Sequence, residues 1–178
     1  MTIEEAQADL RRAYVGGGPG AMVSGLVWLA AACVLSARGV PAAFAALFFG
    51  GMLIFPVGLV VCRQLLRVSG EVKGNPLGRS ALESTIAMIG GLVAAWLFLP
   101  YRPDFVFPLA AVAVGTHYFV FRTSYGDPMF WLMGASITGV GAAGVFVPGV
   151  PTVALVLMVA AIELVLGAVL TVRGLRPR

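Results

Sequence analysis

The sequence predicts an all-α bundle of about six transmembrane helices, preceded by a short amphipathic helix at the N-terminus. Three observations lead to this fold class: 60% of the 178 residues are hydrophobic, only 11% are charged, and the hydrophobic residues are gathered in long uncharged runs. A soluble domain carries roughly 25% charged residues, so a water-soluble core could not enclose this much apolar surface. Because a bilayer offers no water to unpaired backbone groups, runs of this length favour helices.

The uncharged runs set the limits of the spans within a single transmembrane domain. Residues 128–172 are enough for two helices and contain an obvious break at Val147-Pro-Gly-Val-Pro151. A span needs about 20 residues, so the chain accommodates six. The predicted spans are Pro19–Ala37, Pro41–Arg67, Ser80–Leu99, Phe105–Phe121, Pro128–Val147 and Pro151–Val172.

Residues that favour the first turn of a helix lie at these boundaries. The first amides of a helix need acceptors, and a proline there costs nothing because its missing N–H has no intrahelical acceptor. The predicted caps and first residues are Pro41, the capping box Ser80–Glu83, Asp104, the pair Asp127-Pro128, and Pro151.

The segment 1–15 is predicted to form an amphipathic helix along the cytoplasmic surface. Thr2 and Glu5 have the spacing of a capping box. Its apolar face consists of Ile3, Ala6, Leu10 and Ala13. Because the segment lacks the basic-then-apolar order of a cleaved signal peptide, we expect it to be retained.

The basic residues predict the orientation of the spans. Of the twelve arginines and lysines, ten fall at one end of the predicted bundle, and only Arg38 and Arg102 fall at the other. Basic residues favour the cytoplasmic side of a membrane, so both termini and the loop Val68–Gly78 are predicted to be cytoplasmic. These topology signals account for the net charge of +4, and no nucleic-acid partner is predicted.

Glu163 is the one carboxylate with no local structural explanation, because it lies near the middle of the sixth span. A charged side chain at that depth costs about 2.5–3.5 kcal/mol on insertion scales, so we expect it to face the bundle interior and to bind a proton or a cation. The alternative is a protonated glutamic acid that donates one hydrogen bond to the fifth span, at Thr138 or Ser136.

Several polar residues are predicted to lie near the cytoplasmic ends of the spans, where they would line a vestibule that leads to Glu163. They are Arg63, Gln64, Glu83, His117 and Tyr118. A second interpretation, which the frequency of such residues as membrane anchors favours, assigns them separate tasks: Arg63 reaches the lipid headgroups, Glu83 caps a helix, and His117 with Tyr118 anchors the interface.

The second span contains the features of a movable helix. Pro56 removes a backbone hydrogen bond and should kink it, and Gly50-Gly51 loosens it just before that point. No paired histidines, Cys-x-x-Cys or glycine-rich phosphate loop occurs in the sequence. We therefore predict no catalytic residue, no metal and no cofactor.

Five short motifs resemble those of a family of small uncharacterised bacterial membrane proteins, known only as a domain of unknown function. The motifs are Glu4-Glu-Ala-Gln-Ala-Asp-Leu10, Gly25-Leu-Val-Trp28, Gly51-Met-Leu-Ile-Phe-Pro-Val-Gly58, Asn75-Pro-Leu-Gly78 and Gly115-Thr-His-Tyr118. The resemblance covers most of the chain and implies a six-helix protein of the bacterial inner membrane. It transfers no catalytic residue, since the family has no established activity.

The leading functional hypothesis is a small transporter or channel-like protein with Glu163 as a proton or cation site at mid-depth. Its partners would be the lipid bilayer and a small solute or proton, and assembly of several copies is left open. A rival is a membrane scaffold or accessory subunit, in which Glu163 makes only an interhelical bond. A second rival, an enzyme acting on a lipid, would need convergent polar groups, which only Glu83 with His117 offers.

Overall fold

The computed structural model describes residues 1–176, and these residues contain six helices and no strand. Five of the helical stretches are long and apolar enough to cross a membrane, which confirms the predicted fold class. Arg178, one of the ten basic residues predicted to lie on the cytoplasmic side, is outside the described residues. The helices are α1 Ile3–Ala13, α2 Gly18–Val60, α3 Pro76–Leu97, α4 Pro103–Tyr125, α5 Met129–Phe146 and α6 Thr152–Leu175.

The first two predicted spans are the two halves of α2. The helix is interrupted at Gly39, whose φ of 78° and ψ of −179° suit a residue without a side chain. Residues 18–38 and 40–60 then pack antiparallel: a methyl group at Gly50 would stand 2.8 Å from Val27 Cγ1, and one at Gly58 would stand 3.4 Å from Gly20 Cα.

The break in this region therefore lies at Gly39. Gly50, Gly51 and Pro56 keep helical dihedral angles, so the helix passes through all three positions without interruption. It ends in a π-helical turn, Val61–Leu65.

The start of α3 corrects one predicted cap. Asn75 is the N-cap, and its side-chain oxygen accepts the N–H of Leu77 at 3.0 Å, with Pro76 as the first helical residue. The predicted capping box that begins at Ser80 is therefore wrong. An asparagine followed by proline satisfies the first turn, so the helix begins four residues earlier.

Two further predicted caps differ in detail. Helix α4 begins at Pro103, so Asp104 lies in its first turn and pairs with Arg102 instead of capping the helix. Pro128 is the N-cap residue of α5 and not its first helical residue, while the carboxylate of Asp127 accepts the N–H of Met129 at 2.9 Å. The N-terminal capping box between Thr2 and Glu5 is present.

Small residues bring α6 into direct contact with the first half of α2. A methyl group at Gly167 would stand 2.9 Å from the backbone nitrogen of Met22 and 3.1 Å from the carbonyl oxygen of Gly18. A methyl group at Gly25 would meet the carbonyl oxygen of Ala160 at 3.1 Å. The two helices therefore pack backbone against backbone, an arrangement typical of membrane helices.

The segments predicted to share one end of the bundle do contact one another. Arg12 of α1 donates to the carbonyl oxygen of Gly70 at 2.9 Å, and Arg173 of α6 lies 3.3 Å from the carboxylate of Asp127. We refer to this end as the inner end and to the end that carries Gly39 and Arg102 as the outer end.

Candidate functional site

Glu163 lies in the bundle interior with none of its surface exposed. It belongs to the buried face of α6, and the hydroxyl of Tyr118 on α4 donates a hydrogen bond of 2.8 Å to its Oε1. Ser24 of α2 lies beside both side chains. Three helices thus meet at one carboxyl group, whose second oxygen, Oε2, has no hydrogen bond of good geometry among the described residues.

The hydrogen-bond partners expected for Glu163 on α5 are wrong. Thr138 packs instead against α4, where its hydroxyl lies next to Gly115 and fills the space that a side chain would need. The long side chain of Tyr118, three residues further along α4, reaches across to α6. The sequence marked both Glu163 and Tyr118, but it gave no signal that would join them.

Stacked aromatic rings fill the space between Glu163 and the inner end. Tyr118 is stacked on Phe130 at 6.3 Å between centroids, and Phe130 is stacked on Tyr125 at 5.2 Å. All three rings are buried, and Phe121 packs edge-on against each of them. We call Tyr118, Phe121, Tyr125 and Phe130 the ring column. It extends from Tyr118, the hydrogen-bond partner of Glu163, to Tyr125 at the end of α4 that α1 contacts.

His117 contacts the side of the ring column, but its hydrogen bond is to α3 and not to Glu163. Its Nδ1 lies 2.7 Å from the hydroxyl of Ser84 on α3, and its ring packs edge-on against Phe121 at 4.4 Å. Glu83 is exposed on α3. The histidine therefore bridges α3 and α4 through Ser84, a residue that sequence reasoning missed because the register between antiparallel helices leaves no local pattern.

Arg63 and Gln64 do not join Glu163 either. The Arg63 guanidinium donates to the carbonyl oxygens of Ala13, Val68 and Ser69 at 2.8, 3.2 and 2.9 Å, while Gln64 is exposed. The predicted vestibule residues are thus distributed over three places in the fold, and only Tyr118 contacts Glu163.

A second polar cluster, which the sequence did not reveal, joins α1 to the segment before α3. Asp9 is buried and accepts the N–H of Val72 at 2.8 Å, the Asn75 amide at 2.9 Å and a charged bond from Arg12. Burial alone would raise the pKa of Asp9, but these donors outweigh it and lower the pKa below 3.8.

Tyr14, directly after α1, belongs to the same cluster. Burial, together with the charge of Glu71 and a hydrogen bond to it, raises the pKa of the Tyr14 phenol to about 12. Arg63 lies over its ring, 5.6 Å from the centroid. The phenol therefore stays protonated and acts as a hydrogen-bond donor.

A cavity of about 310 Å³ opens at the outer end between α4, α5 and α6. Arg102 lies at its mouth, where it donates to Asp104 at 2.8 and 3.1 Å and stacks on Phe105 at 3.9 Å. Leu155 also lines the cavity, and it lies eight residues before Glu163 on the buried face of α6, roughly 12 Å along the helix axis.

Metal-binding side chains are not grouped in residues 1–176: no three histidine, cysteine, aspartate or glutamate side chains are close enough to hold an ion. Cys33 is exposed on α2, Cys62 is buried in the π-helical turn, and neither forms a disulfide.

One known protein family matches nearly the whole chain. A family of unknown function, DUF7010, matches residues 3–173. The chain belongs to the DUF7010 family. This confirms the resemblance to a domain of unknown function and, with the apolar helices, describes a membrane protein whose family has no assigned activity. No curated protein and no solved structure matches the chain.

Proposed function

We propose that the protein is a small transporter or channel-like protein in which Glu163 binds a proton or a cation at mid-depth in the membrane. The observation that carries the proposal is the complete burial of this carboxyl group at the contact of three helices. Acidic side chains at that depth are costly and usually serve an ion or proton pathway.

The hydrogen bonding of Glu163 supports binding at one oxygen. Oε1 accepts from Tyr118, whereas Oε2 has no donor of good geometry among the described residues. A buried acceptor without a donor costs about 1–3 kcal/mol, and more when it is charged. A proton on Oε2 would neutralise the group and remove the cost of the buried charge, and the resulting O–H would donate to the hydroxyl of Ser24, which lies beside it. Oε2 is therefore the atom that we assign to proton binding.

The ring column and the outer cavity have separate roles in this function. In this proposal the ring column closes the inner side of Glu163, and we interpret the arrangement as an occluded state. The outer cavity lies in line with the buried face of α6 and is the entrance that we assign to a small solute. We further propose the bacterial inner membrane as the location, with both termini in the cytoplasm, following the distribution of basic residues.

Proton movement in proteoliposomes tests the proposal. Protein is reconstituted with a pH-sensitive dye inside the vesicles, and a pulse of Na⁺ or K⁺ is applied outside. We expect the dye response of the native protein to be lost in Glu163→Gln and reduced in Tyr118→Phe. Glu83→Gln makes the same chemical change at an exposed position and should leave the response unchanged.

A scaffold is the second candidate, because a buried carboxyl group bonded to a tyrosine on another helix also suits a purely structural contact. A Glu163→Gln protein that keeps the full native proton response contradicts the transport proposal and favours the scaffold. Equal dye responses in vesicles with and without protein would also contradict the transport proposal and favour the scaffold.

A further inference from the structure

Helix α1 is fastened to the inner end of the bundle by charged and buried hydrogen bonds. Asp9 binds Val72 and Asn75, and the Asn75 amide also donates to the carbonyl oxygen of Ala6 at 3.0 Å. Arg63 holds the last residue of α1, Ala13, through its carbonyl oxygen. We call Asp9, Arg63 and Asn75 the latch. These contacts join the N-terminal helix to the π-helical turn and to the start of α3.

The same helix also holds the end of α4 that carries the ring column. Gln7 donates to the carbonyl oxygen of Thr123 at 2.8 Å, and Arg11 donates to that of Tyr125 at 2.5 Å. Leu10 belongs to the same buried apolar cluster as Tyr125. The position of the innermost ring therefore depends on α1 being docked.

The connection from α1 to α2 has the conformation of a pivot. Val15, Gly16 and Gly17 have φ values of 50°, 66° and 78°, and the left-handed region is unfavourable for a β-branched residue such as valine. Val15 is 1% exposed and its backbone lies against Gly174 of α6, so packing on α6 as well as docking of α1 holds Val15 in this conformation. Release of the latch would let α1 turn away at the two glycines.

We propose that α1 is the inner gate of the Glu163 site. With the latch closed, α1 fixes Tyr125 and the ring column stays stacked below the carboxyl group. With the latch open, α1 leaves the inner end, the column loses its support, and Glu163 becomes accessible from that side. The gate rests on the proposed function, since it controls access to the same carboxyl group, but its opening can be measured without any transport.

Cys62 is a natural reporter of this opening. It is 2% exposed, lies next to Arg63, and is close to both Tyr14 and Tyr125. Replacing the exposed Cys33 by alanine leaves Cys62 as the single thiol. The experiment measures the rate at which a membrane-impermeant maleimide modifies Cys62. The reagent is added on the side of the membrane to which the inner end of the bundle is exposed.

Two variants break the bond between Asp9 and Asn75 from its two ends, and a third variant is a matched control. Asn75→Ala also removes the N-cap of α3. Asp9→Asn and Asn75→Ala each remove a hydrogen bond that involves the buried carboxylate, and a bond to a charged group corresponds to roughly one decade or more in an equilibrium constant. We expect both to raise the labelling rate about tenfold or more. Glu4→Gln removes the same charge from an exposed position of α1 and should leave the rate unchanged.

Hydrogen exchange distinguishes a gate from general unfolding. In both latch variants we expect faster exchange in residues 3–13 and 66–75, with native protection in α6. Native labelling rates in both variants would overturn the proposal, and so would a loss of protection along α6, because Asp9 would then support the whole bundle. The latch variants should show the same increase in the Cys62 labelling rate when they are combined with Glu163→Gln. Labelling therefore tests the gate, while the proton response tests the transport site, and the two can fail separately.

Discussion

Replacing Gly167 by alanine should destabilise the bundle, although alanine is the better helix former. The added methyl group would stand 2.9 Å from the Met22 nitrogen and 3.1 Å from the Gly18 carbonyl oxygen. These are backbone atoms, so α2 and α6 would have to separate. Overpacking of this kind costs about 1–3 kcal/mol, while the gain in helix propensity is at most about 1 kcal/mol. The expected net loss in the free energy of unfolding therefore lies between zero and about 3 kcal/mol, with about 1–2 kcal/mol at the centre of the range.

The assay is reversible unfolding in detergent micelles with increasing sodium dodecyl sulfate, followed by circular dichroism. Gly90→Ala is the control, because a methyl group at Gly90 meets no atom within 4 Å. It should leave stability unchanged or raise it by up to about 1 kcal/mol. Gly167→Ala should thus lower the free energy of unfolding, whereas Gly90→Ala should not. A Gly167→Ala protein as stable as the native protein would refute the proposed packing of α2 against α6.

Three further predictions concern single side chains. Tyr118→Phe keeps the ring in the column but removes the donor to Glu163, so the free energy of unfolding measured in detergent should fall by about 1–3 kcal/mol. Trp28→Ala empties a site that is 1% exposed, beside Phe107, and should cost about 3–5 kcal/mol in the same assay. The pKa of Asp9 is lowered in the folded protein. The ionised carboxylate therefore stabilises the docked α1 fully above the ordinary pKa of 3.8, and this stabilisation is lost as pH falls through the lowered folded value. The protection of α1 against hydrogen exchange, expressed relative to the intrinsic exchange rate at each pH, should therefore fall below about pH 3.8 in the native protein but change less in Asp9→Asn. Protection that depends equally on pH in both proteins would contradict this account of Asp9.

The sequence predicts the fold well because the lipid bilayer restricts which backbone structures can span it. Spans in lipid must satisfy their own backbone hydrogen bonds, and uncharged runs of this length favour helices over the short alternating strands of a barrel. The segment Arg38-Gly-Val-Pro41 marks the turn between the first two of them. Helix starts were less predictable, because several residues compete for the same task. At α3, both Asn75-Pro76 and Ser80 have the composition of a helix start, and only the packed structure selects Asn75.

The candidate site was predictable in its residues but not in its contacts. Glu163 is conspicuous because a carboxylate in the middle of an apolar run has no local partner. Its partner, Tyr118, is 45 residues away, and the rotation and register of two helices decide which side chains meet. Asp9 gave no signal at all, since an aspartate on a short amphipathic helix has the pattern of a solvated face until the segment around Asn75 covers it.

Infrared spectroscopy of the protonated carboxyl group tests the central claim most directly. The account predicts that native protein in lipid bilayers shows a carbonyl band of a protonated carboxylic acid that persists above the pH at which exposed carboxyl groups ionise. This band should disappear in Glu163→Gln, remain in Glu83→Gln, and shift in Tyr118→Phe because the hydrogen bond to Oε1 is lost. A spectrum in which Glu163→Gln removes no such band at any pH would contradict the assignment of Glu163 as a proton-binding group.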